Sequence, residues 1–224
     1  MYSNKRNRFL VSTISDSPKN YFTNLEIFEK WGLDGIHFDI MDGSFVPRIG
    51  LFPELLKAIS DVTSLPIEVH IMMDRPLRFL ESLVENGAHR LILHYEGIEF
   101  SEQSISFVKE LGVEVGVAIN PSTPVGAIQT MLPELHSVLL MAINPGIPKH
   151  PLLPESINRL KQLSLLRDLE SPAVEIGIDG GVTFQNISEL ISNGADYLIC
   201  GSGTVFDPTG DMESNIKKLL ATLD

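Results

Sequence analysis

Gly35-Ile36-His37-Phe38-Asp39-Ile40-Met41-Asp42-Gly43 alternates apolar and polar side chains with a period of two. As a β-strand it puts His37, Asp39 and Met41 on one face and Ile36, Phe38 and Ile40 on the other. An imidazole and a carboxylate two residues apart on a rigid strand can hold a divalent metal without first ordering a loop. The same pair also fits a polar layer inside a barrel, tied up by hydrogen bonds, so the rest of the chain has to decide.

Outward from this stretch, short β-rich runs recur, each followed by a segment with helical spacing. The runs cover residues 8–14, 36–41, 67–73, 90–95, 113–119, 138–143, 174–178 and 197–200. Helices are expected over 21–31, 53–59, 76–87, 101–111, from Pro124 onward, and over 154–167, 184–192 and 213–223. Eight such units in 224 residues leave no room for a linker, so one α/β domain spanning 1–224 is expected. Alternating strands and helices imply right-handed crossovers and a parallel sheet, and eight of them a closed (β/α)8 TIM barrel. An open doubly wound sheet would want a Gly-x-Gly-x-x-Gly turn after the first strand, and Ser15-Asp16-Ser17-Pro18 is not one.

Seventeen basic against twenty-nine acidic residues give a formal net charge of −12. That field repels nucleic acid and anionic membranes, so an anionic substrate must be captured by local dipoles or a metal. Lys5, Arg6 and Arg8 precede only the short apolar run 9–11, which supports neither a signal peptide nor a membrane span, and a cytoplasmic protein is expected. The one cysteine, Cys200, lies in an apolar run and reads as a buried small hydrophobe.

In a barrel the chemistry sits at the C-terminal ends of the strands. There the second strand offers His37, Asp39 and Met41, the third His70 and Met72, the sixth Met141 and the seventh Asp179. Two imidazoles and two carboxylates form a donor set for zinc, manganese or ferrous iron. Asp39 and Asp179 come from well-separated strands, so a substrate across the mouth could have one on each face. A metal beside them would acidify a carbon next to a carbonyl; one Asp could remove a proton while the other supplies one to the opposite face, which is epimerisation. Gly180, Gly181, Gly201 and Ser202 end the last two strands, where barrels bind phosphate through backbone N–H groups and a helix N-terminus. Met41, Met72 and Met141 would give the mouth an apolar cover. His94 reads as a satisfied core histidine in preference to a partner of the site, and His89, His136 and His150 as loop or surface residues. No strand end carries the lysine an aldolase would need.

These residues are recognisable together. The chain resembles the ribulose-phosphate 3-epimerase family through His37-Phe-Asp39-Ile-Met41-Asp42-Gly43-Ser-Phe45-Val46-Pro47, Glu68-Val-His70-Ile-Met72, His94-Tyr-Glu96, Gly116-Val-Ala-Ile-Asn120-Pro121-x-Thr123-Pro124, Met141-Ala-Ile-Asn144-Pro145-Gly146, Ile178-Asp179-Gly180-Gly181 and Gly201-Ser202. The resemblance implies that His37, Asp39, His70 and Asp179 are metal ligands. It makes Asp39 and Asp179 the acid/base pair that exchanges the C3 proton of a ketose 5-phosphate through a metal-stabilised enediolate. Ser12, His70 and Gly146 would help bind substrate, the three methionines would pack around the enediolate, and Gly180, Gly181, Gly201 and Ser202 would cradle the phosphate. The expected cofactor is one divalent ion, zinc first, with manganese, iron(II) or cobalt as alternatives; the expected partners are a small sugar phosphate and further copies of the chain. The substrate pair implied is D-ribulose 5-phosphate and D-xylulose 5-phosphate. The alternatives are another ketose phosphate such as D-allulose 6-phosphate, or a sugar-phosphate-binding relative with impaired turnover.

The sequence departs from the family in three places. Where the family has a Phe, two glycines and a Gln after Pro145-Gly146, here stand Ile147-Pro148-Lys149-His150-Pro151, stiffened by two prolines. Lys149 or His150 then replaces backbone amides with a cation, or the loop no longer closes. Arg48 follows Pro47 in place of the usual Asn, and Val11 stands before Ser12 in place of Pro.

Overall fold

The computed structural model describes residues 7–99, 101–148 and 150–223. Its eight strands are β1 (Arg8–Ser12), β2 (Gly35–Met41), β3 (Ile67–Met72), β4 (Arg90–His94), β5 (Glu114–Ile119), β6 (Ser137–Met141), β7 (Glu175–Asp179) and β8 (Tyr197–Cys200). Each pairs in parallel with its sequence neighbours, and β1 closes on β8. Outside lie α1 (Tyr21–Lys30), α2 (Pro53–Ser60), α3 (Leu77–Glu85), α4 (Ser101–Glu110), α5 (Ser156–Glu170), α6 (Ile187–Ser192) and α7 (Met212–Leu220). The expected (β/α)8 barrel is therefore observed.

One expected helix differs. The segment Val125–Glu134 between β5 and β6 is 3-10 in character, with Gly126 near its start and Pro133 inside it. Proline supplies no N–H and glycine weakens a helix, so the tighter turns take over.

Period two decides what each strand contributes. Phe9, Val11, Ile36, Phe38, Ile40, Val69 and Ile71 point outward into one apolar layer, shared with Leu25 and Phe28 of α1, Leu56 and Ile59 of α2 and Leu80 and Leu83 of α3. The inward set is stacked by the strand register. His37 lies beside Glu68, Asp39 beside His70 and Met41 beside Met72, while Glu68 neighbours Arg90 and Met141 neighbours Asp179. A second apolar cluster fills the middle of the barrel with Leu10, Ile92, Ala118, Leu139, Met141, Tyr197 and Ile199. It separates an ionic floor from the mouth.

At the floor one device recurs four times. The side chain of the residue just before each even strand accepts the N–H of the first or second residue of the preceding odd strand: Asp34 from Phe9 (2.9 Å), His89 from Ile67 (3.2 Å), His136 from Val115 (3.1 Å) and Asp196 from Ile176 (2.9 Å). Burial lowers the His89 pKa, which keeps the ring neutral and its Nδ1 free to accept. His89 and His136 are thus exposed loop residues, as expected, with a structural task.

Gly177 makes room for the Tyr197 ring; a Cβ there would lie 2.2 Å from the Tyr197 Cζ. Gly177→Ala is expected to cost about 1–3 kcal/mol by overpacking, measured by urea unfolding. Gly126→Ala, whose Cβ meets nothing within 4 Å, is expected to change stability by less than about 1 kcal/mol.

Candidate active site and metal centre

Four residues converge where β2, β3 and β7 end. One donor atom each from His37, Asp39, His70 and Asp179 lies within 4.8 Å of the others. The His37 Nε2 is 3.3 Å from Asp39 Oδ1, 3.3 Å from His70 Nδ1 and 3.9 Å from Asp179 Oδ2. His70 Nδ1 lies 3.1 Å from Asp39 Oδ1 and 3.6 Å from Asp179 Oδ2. Both imidazoles are fully buried, while Asp39 and Asp179 face the mouth. Two nitrogens and two carboxylate oxygens at these separations can close on one divalent ion.

The backbone that carries them is pinned. The loop after β2 folds back so that the Leu51 N–H donates to the Asp39 carbonyl (2.9 Å) and the Gly50 N–H to the Met41 carbonyl (3.1 Å). Asp42 then organises the turn: Oδ1 accepts the N–H groups of Ser44 and Phe45, and Oδ2 accepts that of Asp74 after β3. Gly43 takes φ +76, a left-handed value that favours glycine. The run from His37 to Pro47 is therefore a strand plus the brace that fixes its end.

Each imidazole is held from behind. His37 donates Nδ1–H to Glu68 Oε1 (2.9 Å). His70 Nε2 lies 2.8 Å from His94 Nε2, and His94 Nδ1 lies 3.2 Å from Glu96 Oε2. Glu96 is itself fixed by the Asn120 N–H (2.8 Å) and the Thr123 hydroxyl, and Arg159 of α5 donates to the carbonyls of Asn120, Pro121 and Thr123. Burial, aided by His70 and opposed by Glu96, depresses the His94 pKa to about 4, so the ring is neutral. With its proton on Nδ1 facing Glu96, His94 accepts from His70 Nε2–H, which leaves the His70 Nδ1 lone pair facing the two aspartates. His94 is thus a buried histidine satisfied on both nitrogens, as read from the sequence, and one of its partners is the His70 imidazole of the cluster, which it orients. The His94-x-Glu96 spacing, with His94 ending β4 and Glu96 in the 3-10 turn Tyr95–Gly97 after it, could have disclosed this, since a carboxylate that near in sequence is within reach of the ring.

Burial disfavours charge on every member, and mutual attraction decides the outcome. On His37 burial lowers the pKa, but Asp39, Glu68 and Asp179 outweigh it and raise it well above 6.5. On Asp39 burial raises the pKa, yet the charge and hydrogen bonds of His37 and His70 bring it well below the usual carboxylate range. For Asp179 burial and repulsion from Asp39 and Glu68 prevail over the two imidazoles, and its pKa is raised. The two aspartates are pushed in opposite directions.

Above the cluster opens a cavity of about 860 Å³ that brings together the residues expected to meet substrate and phosphate. Ser12, Met41, Met72, Met141, Gly146, Gly180, Gly181, Gly201 and Ser202 all line it, with Asp39 and Asp179 at its base. The Ser12 hydroxyl donates to Asp39 Oδ2 (3.2 Å). Arg48 and His150 also line the cavity, whereas Lys149 lies outside the described residues. The loop after β6 is folded against its surroundings: a Cβ on Gly146 would lie 2.7 Å from Val46, and one on Gly181 would lie 2.5 Å from the Leu152 nitrogen. Gly181 thus lets the proline-rich loop approach β7. After β8 the chain makes turns in place of the expected helix N-terminus, with the N–H groups of Thr204 and Phe206 bonded to the Gly201 carbonyl.

The family model for the ribulose-phosphate 3 epimerase family matches residues 9–206. The ribulose-phosphate 3-epimerase of Aquifex aeolicus is 39% identical over 188 residues, 84% of this chain and 84% of that one. The enzyme of that name from Bacillus subtilis is 37% identical over 175 residues, 78% and 81% of the two chains. Among solved structures, a tryptophan synthase α-subunit from Pyrococcus furiosus superposes with a TM-score of 0.71 at 14% identity, covering 99% of this chain and 100% of that one. That likeness concerns the fold.

The raised pKa of His37 couples ion binding to pH. Below that pKa Nε2 carries a proton and cannot ligate, so affinity for a divalent ion is expected to rise with pH through the neutral range. Calorimetric titration in buffers of different ionisation enthalpy should show net proton release on ion binding, and more of it as pH falls.

Proposed function

Because the chain belongs to the ribulose-phosphate 3-epimerase family and is a carbohydrate epimerase, we propose that it inverts C3 of a ketose phosphate by passing the C3 proton between Asp39 and Asp179. D-ribulose 5-phosphate and D-xylulose 5-phosphate are the substrate pair. The observation that carries this reading is the pair of aspartates, from β2 and β7, that meet beside two imidazoles at the floor of one cavity.

His37, Asp39, His70 and Asp179 would hold one divalent ion, with zinc first among zinc, manganese, iron(II) and cobalt. When bound, it acidifies the C3 hydrogen beside the substrate carbonyl and offsets the charge that develops on oxygen as that hydrogen leaves. The ionised aspartate takes the proton from one face of C3, and the C3–H electron pair moves into the enediolate. The protonated aspartate then gives its proton to the other face. Ser12 holds the second oxygen of Asp39, so the carboxylate keeps its aim. Met41, Met72 and Met141 exclude water from the carbanion without offering it a proton.

For the phosphate, Gly180, Gly181, Gly201 and Ser202 line the same cavity, and their backbone N–H groups would receive it. Arg48 and His150 line it as well, which favours a second reading in which a longer ketose phosphate such as D-allulose 6-phosphate is preferred. A cytoplasmic setting and a homo-oligomer are further parts of the proposal and rest on the family resemblance. Among the described residues no helix is long and apolar enough to cross a membrane.

Incubation of the metal-loaded protein with ribulose 5-phosphate in deuterated water is expected to give xylulose 5-phosphate labelled at C3. Asp39→Asn and Asp179→Asn should each lower kcat by about 10²–10⁴-fold, the usual range for loss of an acid or base. A loaded protein that neither converts nor labels this substrate, yet labels the hexose analogue, would transfer the assignment to the second reading.

A further inference from the structure

Beneath the ligand cluster the barrel carries an ionic column that the chemistry above does not use. Strand register sets His37 beside Glu68, Glu68 beside Arg90 and Arg90 beside Glu114. The side chains follow the same order. Glu68 Oε1 accepts the His37 Nδ1–H, and its Oε2 lies 3.3 Å from Arg90 Nη1. Arg90 donates Nη2–H to Glu175 (2.8 Å) and Nε–H to Glu114 (2.7 Å), and Arg8 pairs with Glu175. His37 and Glu68 are completely buried, and Arg8 and Arg90 are within 2% of it.

Such a column is a poor way to stabilise a fold. A well-packed apolar layer in place of buried ion pairs is commonly as stable or more so. This barrel builds one directly above, with Leu10, Ile92, Ala118, Leu139 and Ile199. The charges are also unequal: Arg8 and Arg90 face Glu68, Glu114 and Glu175. Glu114 and Glu175 are about a quarter exposed, at 26% and 28%, and sit on the arginines at the barrel floor. Glu68 has no access to solvent, and its free side is the one turned to His37.

We propose that Glu68, held in place by Arg90, is a positioning residue for the metal. It takes the Nδ1 proton of His37 and so commits the Nε2 lone pair to the ion, which makes the ionic floor a determinant of metal retention. This rests on the reading that His37, Asp39, His70 and Asp179 bind a divalent ion. The ring has two nitrogens; one fixed acceptor on Nδ1 decides which of them ligates, and a carboxylate there also makes the other a stronger donor. Arg90 prevents Glu68 from turning away, because its guanidinium is itself clamped by Glu114 and Glu175.

The test is cobalt(II) binding to the chelator-stripped full chain, followed by its visible d–d bands, with affinity taken from competition against a chelator. Glu68→Met, which removes the acceptor, is expected to weaken binding about 10–100-fold. Glu68→Gln keeps shape and a neutral acceptor and should fall between Glu68→Met and the unaltered protein. Arg90→Lys should weaken binding in the same direction, because a single ammonium cannot engage Glu68, Glu114 and Glu175 in the same geometry. Glu114→Gln keeps a neutral acceptor for Arg90, leaves the Glu175 clamp in place and touches neither Glu68 nor His37, so it should weaken binding less than either Glu68 variant and leave the bands in place. Should Glu68→Met fail to fold, Glu68→Gln and Arg90→Lys decide. Unaltered affinity and bands in the Glu68 variants would overturn the proposal, and so would an equal loss in Glu114→Gln, which would mark the column as packing. If the unaltered protein takes up no cobalt, the metal reading falls and this inference with it, an outcome distinct from the other two.

Discussion

Bringing His37, Asp39, His70 and Asp179 together out of water is the constraint around which the barrel is arranged. Each group, alone and desolvated, would give up its charge. Together they exchange attraction for hydration, and the balance tips differently at each: His37 up, Asp39 down, Asp179 up. The groups behind the two imidazoles exist on the same account. Glu68 and Arg90 stand behind His37, and His94 and Glu96 behind His70, each ending in a braced loop or an ion pair. Neither ring can rotate without breaking a buried hydrogen bond, so the donor set is fixed before anything binds.

Rigidity continues into the mouth. The loop after β2 is tied back to its own strand and to the loop after β3 through Asp42. The loop after β6 packs on β7 through Gly181 and on Val46 through Gly146. In a chain of net charge −12 an anionic substrate meets repulsion at a distance. Attraction at contact range is then what remains, and the cavity wall offers the guanidinium of Arg48 beside the glycine-rich ends of β7 and β8.

The architecture and most of the site were legible from period and spacing. Eight alternating units dictated a parallel barrel, and H-x-D on β2 with H-x-M on β3 placed two imidazoles, a carboxylate and two methionines at the ends of adjacent strands, where the structure has the imidazoles and the carboxylate clustered and the methionines lining the cavity. The 3-10 segment Val125–Glu134 and the turns after β8 were not legible, because a short amphipathic run looks alike in either conformation until its packing is known. His94 is buried and satisfied, as its setting in an apolar strand suggested; that one of its partners is His70 on the neighbouring strand was not legible, because it depends on what faces the ring inside the barrel.

By itself, then, the sequence determined the inward and outward faces of every strand and the identity of the chemical groups at their ends, since side-chain alternation is a property of the backbone alone. Only the tertiary structure decided which inward groups meet. Glu68 finds His37 and Arg90 through parallel register, and Arg90 finds Glu175, 85 positions along the chain, through barrel closure. The opposite pKa displacements of Asp39 and Asp179 belong to that second level as well, because they arise from burial and from charges carried by other strands.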